Sequence, residues 1–262
     1  AYKIGDNYNK DRVKVELADG YSFEYTGKPI LPTPKVTRLD SGHEGELLQP
    51  NIDYKFEYED NLDAGTASVN TWGIPDDFAG DVSVTFEITP KSIADADVSV
   101  AAVSDYDYTG EAITPEPDVF WDGKQLIAGE DFEYVYKNNT DAGTATVSVK
   151  GKKNFTDSQD ITFTIHQKDI SGTASEVKVE DIPEQIYTGK EAKPQPVLTW
   201  GDKTLDPRTD YTVTYENNTE IGTATATIEG TGNYTGTVTK TFRIIKVPVA
   251  DMKIDYEKNW YY

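Results

Sequence analysis

The sequence has no cysteine, two histidines and one methionine among its 262 residues. Without cysteine the chain cannot form disulfides, thiol-based active sites or cysteine-ligated metal sites, and two histidines supply little for other catalytic constellations. Basic residues are also scarce, because 25 Lys and Arg face 46 Asp and Glu and leave a formal net charge of -21. A surface this acidic repels nucleic acid and anionic lipid, so we expect neither as a partner.

Long hydrophobic runs are absent as well. Apolar residues make up 37% of the chain, and no stretch approaches the roughly 18 apolar residues of a membrane span. The first residues lack the hydrophobic core of a signal peptide, so we expect a segment without membrane insertion, either mature or excised. The 17 tyrosines, 9 phenylalanines and 4 tryptophans nevertheless indicate a folded chain, since disordered segments contain few aromatic residues.

An internal repeat with a period of about 80 residues dominates the sequence. Each copy contains, in the same order, a Tyr-Thr-Gly triplet, a Pro-x-Pro pair, an alternating aromatic segment, a Gly-Thr-Ala triplet, a further aromatic residue and a closing Phe-x-Ile. The Tyr-Thr-Gly triplets start at Tyr25, Tyr108 and Tyr187, and the late aromatic residues are Phe78, Phe155 and Tyr234. This constant order indicates copies of one structural unit.

The repeat boundaries predict the domain organisation. Repeat 1 spans 10–90, repeat 2 spans 91–167, repeat 3 spans 168–246, residues 1–9 end an upstream segment, and residues 247–262 start a truncated fourth repeat or a C-terminal extension. We therefore expect the chain to be a section of a longer array. Repeat 1 also carries a five-residue insertion after Pro34, which is expected to form a surface loop because insertions are tolerated there.

Within each copy, apolar side chains alternate with a period of two. In repeat 3, Ala224, Ala226 and Ile228 fall on one face of a strand and threonines fall on the other, which is typical of a strand with one buried side. No segment shows a helical stripe with caps. About six or seven short strands per copy predict an all-β fold of three tandem immunoglobulin-like β-sandwich domains. Because the links between copies are very short, we expect an elongated array.

The motif string is clearest between Tyr187 and Phe242, where Tyr-Thr-Gly is followed by Pro-x-Pro, Asp-Tyr-x-Val-x-Tyr-x-Asn-Asn, Gly-Thr-Ala and Gly-x-Gly-Asn-Tyr-x-Gly. It resembles the tandem bacterial Ig-like repeats of large Gram-positive surface and secreted proteins, and the resemblance covers nearly the whole chain. The resemblance implies an extracellular module, at the bacterial cell surface or secreted, in adhesins or multidomain glycosidases. It implies no catalytic residues.

Three tryptophans are the candidate ligand-contact residues. Trp121 and Trp200 occupy equivalent positions in repeats 2 and 3, and Trp72 lies on the threonine-bearing face of its strand in repeat 1. Exposed aromatic rings can stack on sugars or anchor a protein partner. The alternative for Trp121 and Trp200 is structural, in which they cap the end of a sandwich or fill a domain junction.

Acidic residues near the first repeat boundary are the candidates for a metal site. Calcium takes several hard oxygen ligands, although the spacing here matches no EF-hand, and a solvated acidic surface is the alternative. These candidates are Asp95, Asp97, Asp105 and Asp107. We expect no other cofactor. Neither histidine has a serine-containing elbow nearby in sequence, and active-site carboxylates would not be spread over similar copies, so we expect no enzyme.

These features predict a non-catalytic stalk, spacer or adhesive repeat region of a bacterial cell-surface protein. Its partners would be a host surface protein or glycan, or neighbouring domains of the same chain. The alternative is an accessory carbohydrate-binding array in a secreted polysaccharide-degrading system. The two hypotheses differ in whether the tryptophans bind sugar or pack inside the protein.

Overall fold

The computed structural model describes residues 8–74, 80–172 and 175–246. Regular structure in these ranges consists of β-strands alone, which confirms the all-β prediction. The same ranges contain no helix that is long and apolar enough to cross a membrane. Predictions that involve Phe78, the first seven residues or residues 247–262 lie outside the described part of the chain.

The strands are numbered in chain order. Repeat 1 contains β1 (Val13–Leu17), β2 (Ser22–Glu24), β3 (Pro34–Arg38), β4 (Tyr54–Glu59), β5 (Gly65–Gly73) and β6 (Asp81–Thr89). Repeat 2 contains β7 (Lys91–Ser92), β8 (Val98–Val100), β9 (Tyr106–Asp107), β10 (Val119–Trp121), β11 (Lys124–Gln125), β12 (Phe132–Lys137), β13 (Gly143–Gly151), β14 (Phe155–Thr156) and β15 (Ser158–His166). Repeat 3 contains β16 (Lys168–Asp169), β17 (Val177–Val179), β18 (Gln185–Ile186), β19 (Leu198–Trp200), β20 (Lys203–Thr204), β21 (Tyr211–Glu216), β22 (Gly222–Gly230), β23 (Tyr234–Thr235) and β24 (Thr237–Ile245).

The described chain forms two compact units. The first comprises residues 8–103, 115–136 and 147–161, and the second comprises residues 104–114, 137–146 and 162–246. Repeat 1 therefore lies wholly in the first unit and repeat 3 wholly in the second, whereas repeat 2 contributes to both. As a result, each unit contains one boundary between sequence repeats.

A four-stranded sheet recurs with the same strand order in each repeat. The orders are β2-β6-β5-β4, β9-β15-β13-β12 and β18-β24-β22-β21. In each sheet the long closing strand pairs in parallel with a short early strand. The Tyr-Thr-Gly triplet directly follows that short strand, so its tyrosine lies beside the end of the closing strand. The backbone N–H of Tyr25, Tyr108 and Tyr187 donates in each case to a carbonyl there, at 2.8 Å.

A smaller antiparallel sheet carries the two equivalent tryptophans. Strands β8, β10 and β11 pair in repeat 2, and β17, β19 and β20 pair in repeat 3. Trp121 ends β10 and Trp200 ends β19. In repeat 1 the corresponding strand β3 pairs with β1 and ends at Arg38. A large and a small sheet in each repeat are consistent with β-sandwich domains.

Alternating side chains build the core as the sequence predicts. In β22, Ala224, Ala226 and Ile228 are fully buried, and the intervening Thr225 and Thr227 are only partly so. Complete burial of a side chain the size of isoleucine contributes about 1.5–3 kcal/mol. Small alanines at two of the three positions leave room for the large rings of the same core, such as Phe242.

Tyrosine hydroxyls tie the large sheet to the Pro-x-Pro segment in every repeat. Proline has no N–H and the segment forms few ladder hydrogen bonds, so its carbonyls need other donors. The pairs are Tyr58 with the Pro32 carbonyl, Tyr136 with Pro115 and Tyr215 with Pro194, at 2.9, 3.0 and 2.6 Å. The spacing of tyrosine and proline in the repeat therefore has a direct structural cause.

Replacing Tyr215 with phenylalanine should lower the free energy of unfolding by about 1 kcal/mol, because the ring stays packed while the Pro194 carbonyl loses its donor. Urea unfolding followed by tryptophan fluorescence measures the change. Tyr187→Phe is the matched control, since 37% of Tyr187 is exposed, and it should leave the midpoint unchanged. Equal losses in the two variants would contradict the prediction.

Candidate functional site

Trp121 lies in an aromatic cluster of the first compact unit, formed by residues of repeats 1 and 2. Its ring stacks on Tyr25 with a centroid separation of 5.5 Å and meets Phe155 edge-on at 5.4 Å. Gly27 closes the cluster, because its φ of 71° favours glycine and a Cβ there would lie 3.4 Å from the Trp121 ring. The Tyr-Thr-Gly triplet of repeat 1 is thus the surface on which Trp121 of repeat 2 packs.

Trp200 lies in an equivalent cluster of the second unit, formed by residues of repeats 2 and 3. Its ring centroid is 5.8 Å from Tyr108 and 6.4 Å from Tyr234, and the two tyrosine rings are 5.7 Å apart. A Cβ on Gly110 would lie 3.7 Å from the Trp200 ring. Both tryptophans are half-buried, so the structure places these two candidate ligand-contact residues at boundaries between repeats.

An asparagine side chain crosses each of these boundaries. In the first unit, Asn154 Nδ2 donates to Asp63 at 2.8 Å, and Asn154 Oδ1 accepts from the backbone N–H of Ala64 at 2.8 Å. In the second unit, Asn233 makes the same two bonds to Asp141 and Ala142, at 2.9 and 2.7 Å. One amide thus satisfies both a carboxylate and a turn N–H of the preceding repeat.

A buried lysine accompanies the first cluster. The Lys91 side chain is 9% exposed, and its ammonium lies 2.8 Å from Asp95, 3.2 Å from Asp97 and 3.2 Å from Glu24 of repeat 1. The hydrogen bond to Asp95 is the main cause that raises the pKa of Lys91. Asp97 also accepts from the Trp121 indole N–H at 3.2 Å. The lysine, the tryptophan and a carboxylate of the preceding repeat are therefore linked.

Lys168 holds the equivalent position in the second unit. Its ammonium pairs with Glu176 and lies 4.8 Å from the Trp200 ring centroid, which is a cation–π contact. The Trp200 indole N–H donates to the same Glu176 carboxylate at 3.1 Å. The hydrogen bond from Lys168 is the main cause that lowers the pKa of Glu176. In both units, the lysine and the indole N–H of the tryptophan thus share one carboxylate of their own repeat.

Acid should weaken both boundaries. The pKa values of Asp97 and Glu176 lie below their ordinary values of 3.8 and 4.5, mainly because each accepts a hydrogen bond from a lysine. A depressed folded-state pKa gives stability that is present above the ordinary value and lost as the pH falls through the folded one. Urea midpoints should therefore fall below about pH 4. Asp97→Asn should lose less on going from pH 7 to pH 3 than wild type, and an equal loss would contradict this.

The four candidate calcium ligands have partners of their own or face solvent. Asp95 and Asp97 pair with Lys91. Asp105 accepts from the Thr164 N–H at 2.7 Å and lies 3.8 Å from the imidazole of His166. Asp107 is exposed in β9. Across the part of the chain that the structure describes, no group of three or more Asp, Glu or His side chains is arranged to hold a metal ion.

Repeat 1 has an arginine where repeats 2 and 3 have the tryptophan. Arg38 is 6% exposed, and its guanidinium pairs with Asp40 and Glu46 of the inserted segment. The hydrogen bonds from Arg38 are the main cause that lowers the pKa of Asp40. The insertion, which the sequence indicates only as a surface loop, thus supplies the counter-charges of a buried arginine.

Trp72, the third candidate, belongs to neither aromatic cluster. It lies in β5 between Lys55 of β4 and Asp81 of β6, and its side chain is half-buried. His43 of the inserted loop lies 3.1 Å from Glu46. Trp72, its two cross-strand neighbours, His43 and Glu46 all belong to repeat 1.

Charged side chains line a shallow groove in each unit. The residues are Glu24, Lys91 and Asp97 next to Trp121, and Asp107, Lys168 and Glu176 in the second unit. Stacked rings and bridging amides join one repeat to the preceding one in both units, and the Lys91–Glu24 ion pair does so in the first. Chemically, the arrangement is suited to holding repeats together, and a part of the Trp121 ring remains accessible from its groove.

Comparison with known proteins gives structural matches of low similarity. No family model matches the chain, and no curated protein sequence matches it. Among solved structures, the chain is similar to domains 4–9 of the surface layer protein SbsC, with a TM-score of 0.22 and 13% sequence identity over 89% of this chain. The match covers 47% of that protein chain, so the present chain spans about half its length.

Proposed function

We propose that the chain is a non-catalytic stalk or spacer region of a bacterial cell-surface protein, built from three tandem Ig-like domains. The observation that carries the proposal is that two successive repeat boundaries use the same contacts. In each, a tryptophan packs on the preceding Tyr-Thr-Gly triplet, and an asparagine bonds to the preceding Asp-Ala turn. A spacer needs defined links between its domains, and such contacts restrict bending where a flexible linker would not.

The family resemblance of the repeats supports an extracellular setting for this stalk. The repeats resemble those of Gram-positive surface and secreted proteins, and a net charge of -21 favours solubility. The first partners in this proposal are neighbouring domains of the same chain, because the clustered side chains are used for that contact. If the region is also adhesive, its external partner is a host surface protein or glycan.

Calorimetry of the whole chain tests the proposed coupling between repeats. Asn154→Ala together with Asn233→Ala should uncouple the repeats and broaden or split the unfolding endotherm, because each change removes two hydrogen bonds across a boundary. Leu62→Ala together with Thr140→Ala is the matched control, since these exposed residues directly precede the same two turns. If the asparagine variant unfolds as the control does, the asparagine bridges do not couple the repeats and the stalk proposal loses this support.

An accessory carbohydrate-binding array is the second candidate, favoured by the accessible part of Trp121 beside its groove. Pull-down with insoluble starch, cellulose and mucin tests it. Loss of polymer binding in Trp121→Ala with an unchanged thermal midpoint would support sugar stacking. If the wild-type chain binds none of the three polymers, a carbohydrate-binding role toward these polymers is excluded. The stalk proposal then remains.

A further inference from the structure

Repeat 3 carries the same contact surface that repeats 1 and 2 use to hold the following repeat. We call this surface the acceptor face, and it consists of the Tyr-Thr-Gly tyrosine and glycine and the two residues before Gly-Thr-Ala. Its members are Tyr25, Gly27, Asp63 and Ala64 in repeat 1, Tyr108, Gly110, Asp141 and Ala142 in repeat 2, and Tyr187, Gly189, Glu220 and Ile221 in repeat 3.

The acceptor face of repeat 3 is uncovered among the described residues. Tyr187 is 37% exposed, whereas the equivalent Tyr108, which carries Trp200, is 5% exposed. Among residues 8–74, 80–172 and 175–246, the hydroxyl of Tyr187 is the only group within 4 Å of a Cβ on Gly189, and no tryptophan ring lies there. Ile221 is 46% exposed, and its N–H finds no hydrogen-bond partner in the described ranges. The equivalent N–H of Ala142 bonds to Asn233.

The acceptor face of repeat 3 nevertheless has the same backbone geometry as the acceptor faces of repeats 1 and 2, which are covered by the following repeat. The Tyr187 N–H donates to the Ile245 carbonyl at 2.8 Å, as Tyr108 does to His166. Gly189 has a φ of 72°, close to the 71° of Gly27. Glu220 keeps a carboxylate where repeats 1 and 2 have aspartate. Little reordering is therefore needed to form the contacts seen at the other two boundaries, and a preformed surface costs less to bind.

We propose that the acceptor face of repeat 3 is a docking surface for a further repeat of the same kind, one that presents a tryptophan and an asparagine followed by an aromatic residue. This inference rests on the proposed function, in which successive repeats are joined by such contacts. The occupant is defined by what fills the two equivalent faces: Trp121, Asn154 and Phe155 in one case, and Trp200, Asn233 and Tyr234 in the other.

A second copy of this chain is a poor occupant. Its Trp121 and Trp200 already pack on its own Tyr25 and Tyr108. Repeat 1 has Arg38 at the tryptophan position, buried in ion pairs with its own loop. Removing that guanidinium from its carboxylates to meet Tyr187 would leave buried charge without compensation.

Inserting a second copy of residues 168–246 directly after Lys246 tests the proposal in the full-length chain. In this extended chain, Tyr187 should receive the tryptophan of the inserted copy. Tyr187→Ala should then lower the thermal midpoint of the last unfolding transition by about 5 °C, which is the shift expected for loss of one such aromatic contact. The matched control is the same substitution at the inserted copy's own Tyr-Thr-Gly tyrosine, which should shift the midpoint by less than about 1 °C.

The parent chain, which lacks the inserted copy, serves as the second control. Tyr187→Ala in the unextended chain should leave both the midpoint and the mass in solution unchanged. A midpoint loss there as large as in the extended chain would mean that the chain's own remaining residues cover the face, and the proposal would fail. Concentration-dependent self-association of the parent chain that Tyr187→Ala abolishes would identify a second copy as the occupant. If Tyr187→Ala leaves the thermal midpoint of the extended chain unchanged while the two existing boundaries remain coupled, this inference fails but the stalk proposal stands.

Discussion

Replacing Trp121 with alanine should lower the free energy of unfolding of the first compact unit by about 3 kcal/mol, at the lower end of the range for large aromatic truncations. The ring packs on Tyr25 and Phe155, and its N–H donates to Asp97. Truncation opens a cavity between two repeats and removes stacking worth a further fraction of a kcal/mol. The expected loss of free energy of unfolding lies at the lower end of that range because the Trp121 ring is only half-buried.

Urea unfolding of the full chain, followed by circular dichroism, measures this loss. Trp72→Ala is the matched control because it removes the same side chain from the same unit, at a half-buried position outside the cluster. We expect about 1 kcal/mol for it, a value typical of single substitutions. A loss for Trp121→Ala no greater than for Trp72→Ala would show that the cluster does not stabilise the boundary.

Replacing Lys91 with methionine should cost about 2 kcal/mol, because it removes the one cation between Glu24, Asp95 and Asp97 while keeping the buried stem. The three carboxylates are partly exposed, so solvent screens their repulsion and keeps the loss below that of a fully buried pair. Adding salt should recover part of the lost stability.

Two further variants make this prediction specific to the charge. Lys14→Met removes an exposed lysine that pairs with Glu16 in the same unit, and it should leave the urea midpoint unchanged. Adding Asp97→Asn to Lys91→Met should restore part of the stability, since it removes one of the repelling charges. No recovery in the double variant would indicate that Lys91 acts through packing of its stem.

Periodicity was sufficient to predict the strands, because alternation in segments such as Ala224 to Ile228 reports directly which face is buried. It was also sufficient to pair Trp121 with Trp200 as equivalent positions. It did not reveal what they contact. The partners come from the preceding repeat, and Asn154 and Asp63, for example, are 91 residues apart in the chain. Local pattern carries no information about such pairs.

The sequence contains a local signal at the two boundary asparagines that does not by itself identify their partners. Asn154 precedes Phe155 as Asn233 precedes Tyr234, which is typical of turn chemistry and, with the following threonine, of a glycosylation acceptor. Only the fold shows that their amides face the Asp-Ala turn of another repeat. Arg38 was missed for a related reason, since its counter-charges come from an insertion that has no equivalent in the other copies.

The hydrogen bonds from tyrosine to the Pro-x-Pro carbonyls also bear on aggregation. Any chain made of many short strands at high local concentration risks pairing its strand edges with those of neighbours, which leads to fibres. A Pro-x-Pro segment lacks two of the backbone donors that such pairing requires, and tyrosines such as Tyr136 and Tyr215 already occupy the proline carbonyls Pro115 and Pro194. When copies of this protein are crowded, the backbone of these segments therefore offers few free hydrogen-bonding groups with which another strand could pair.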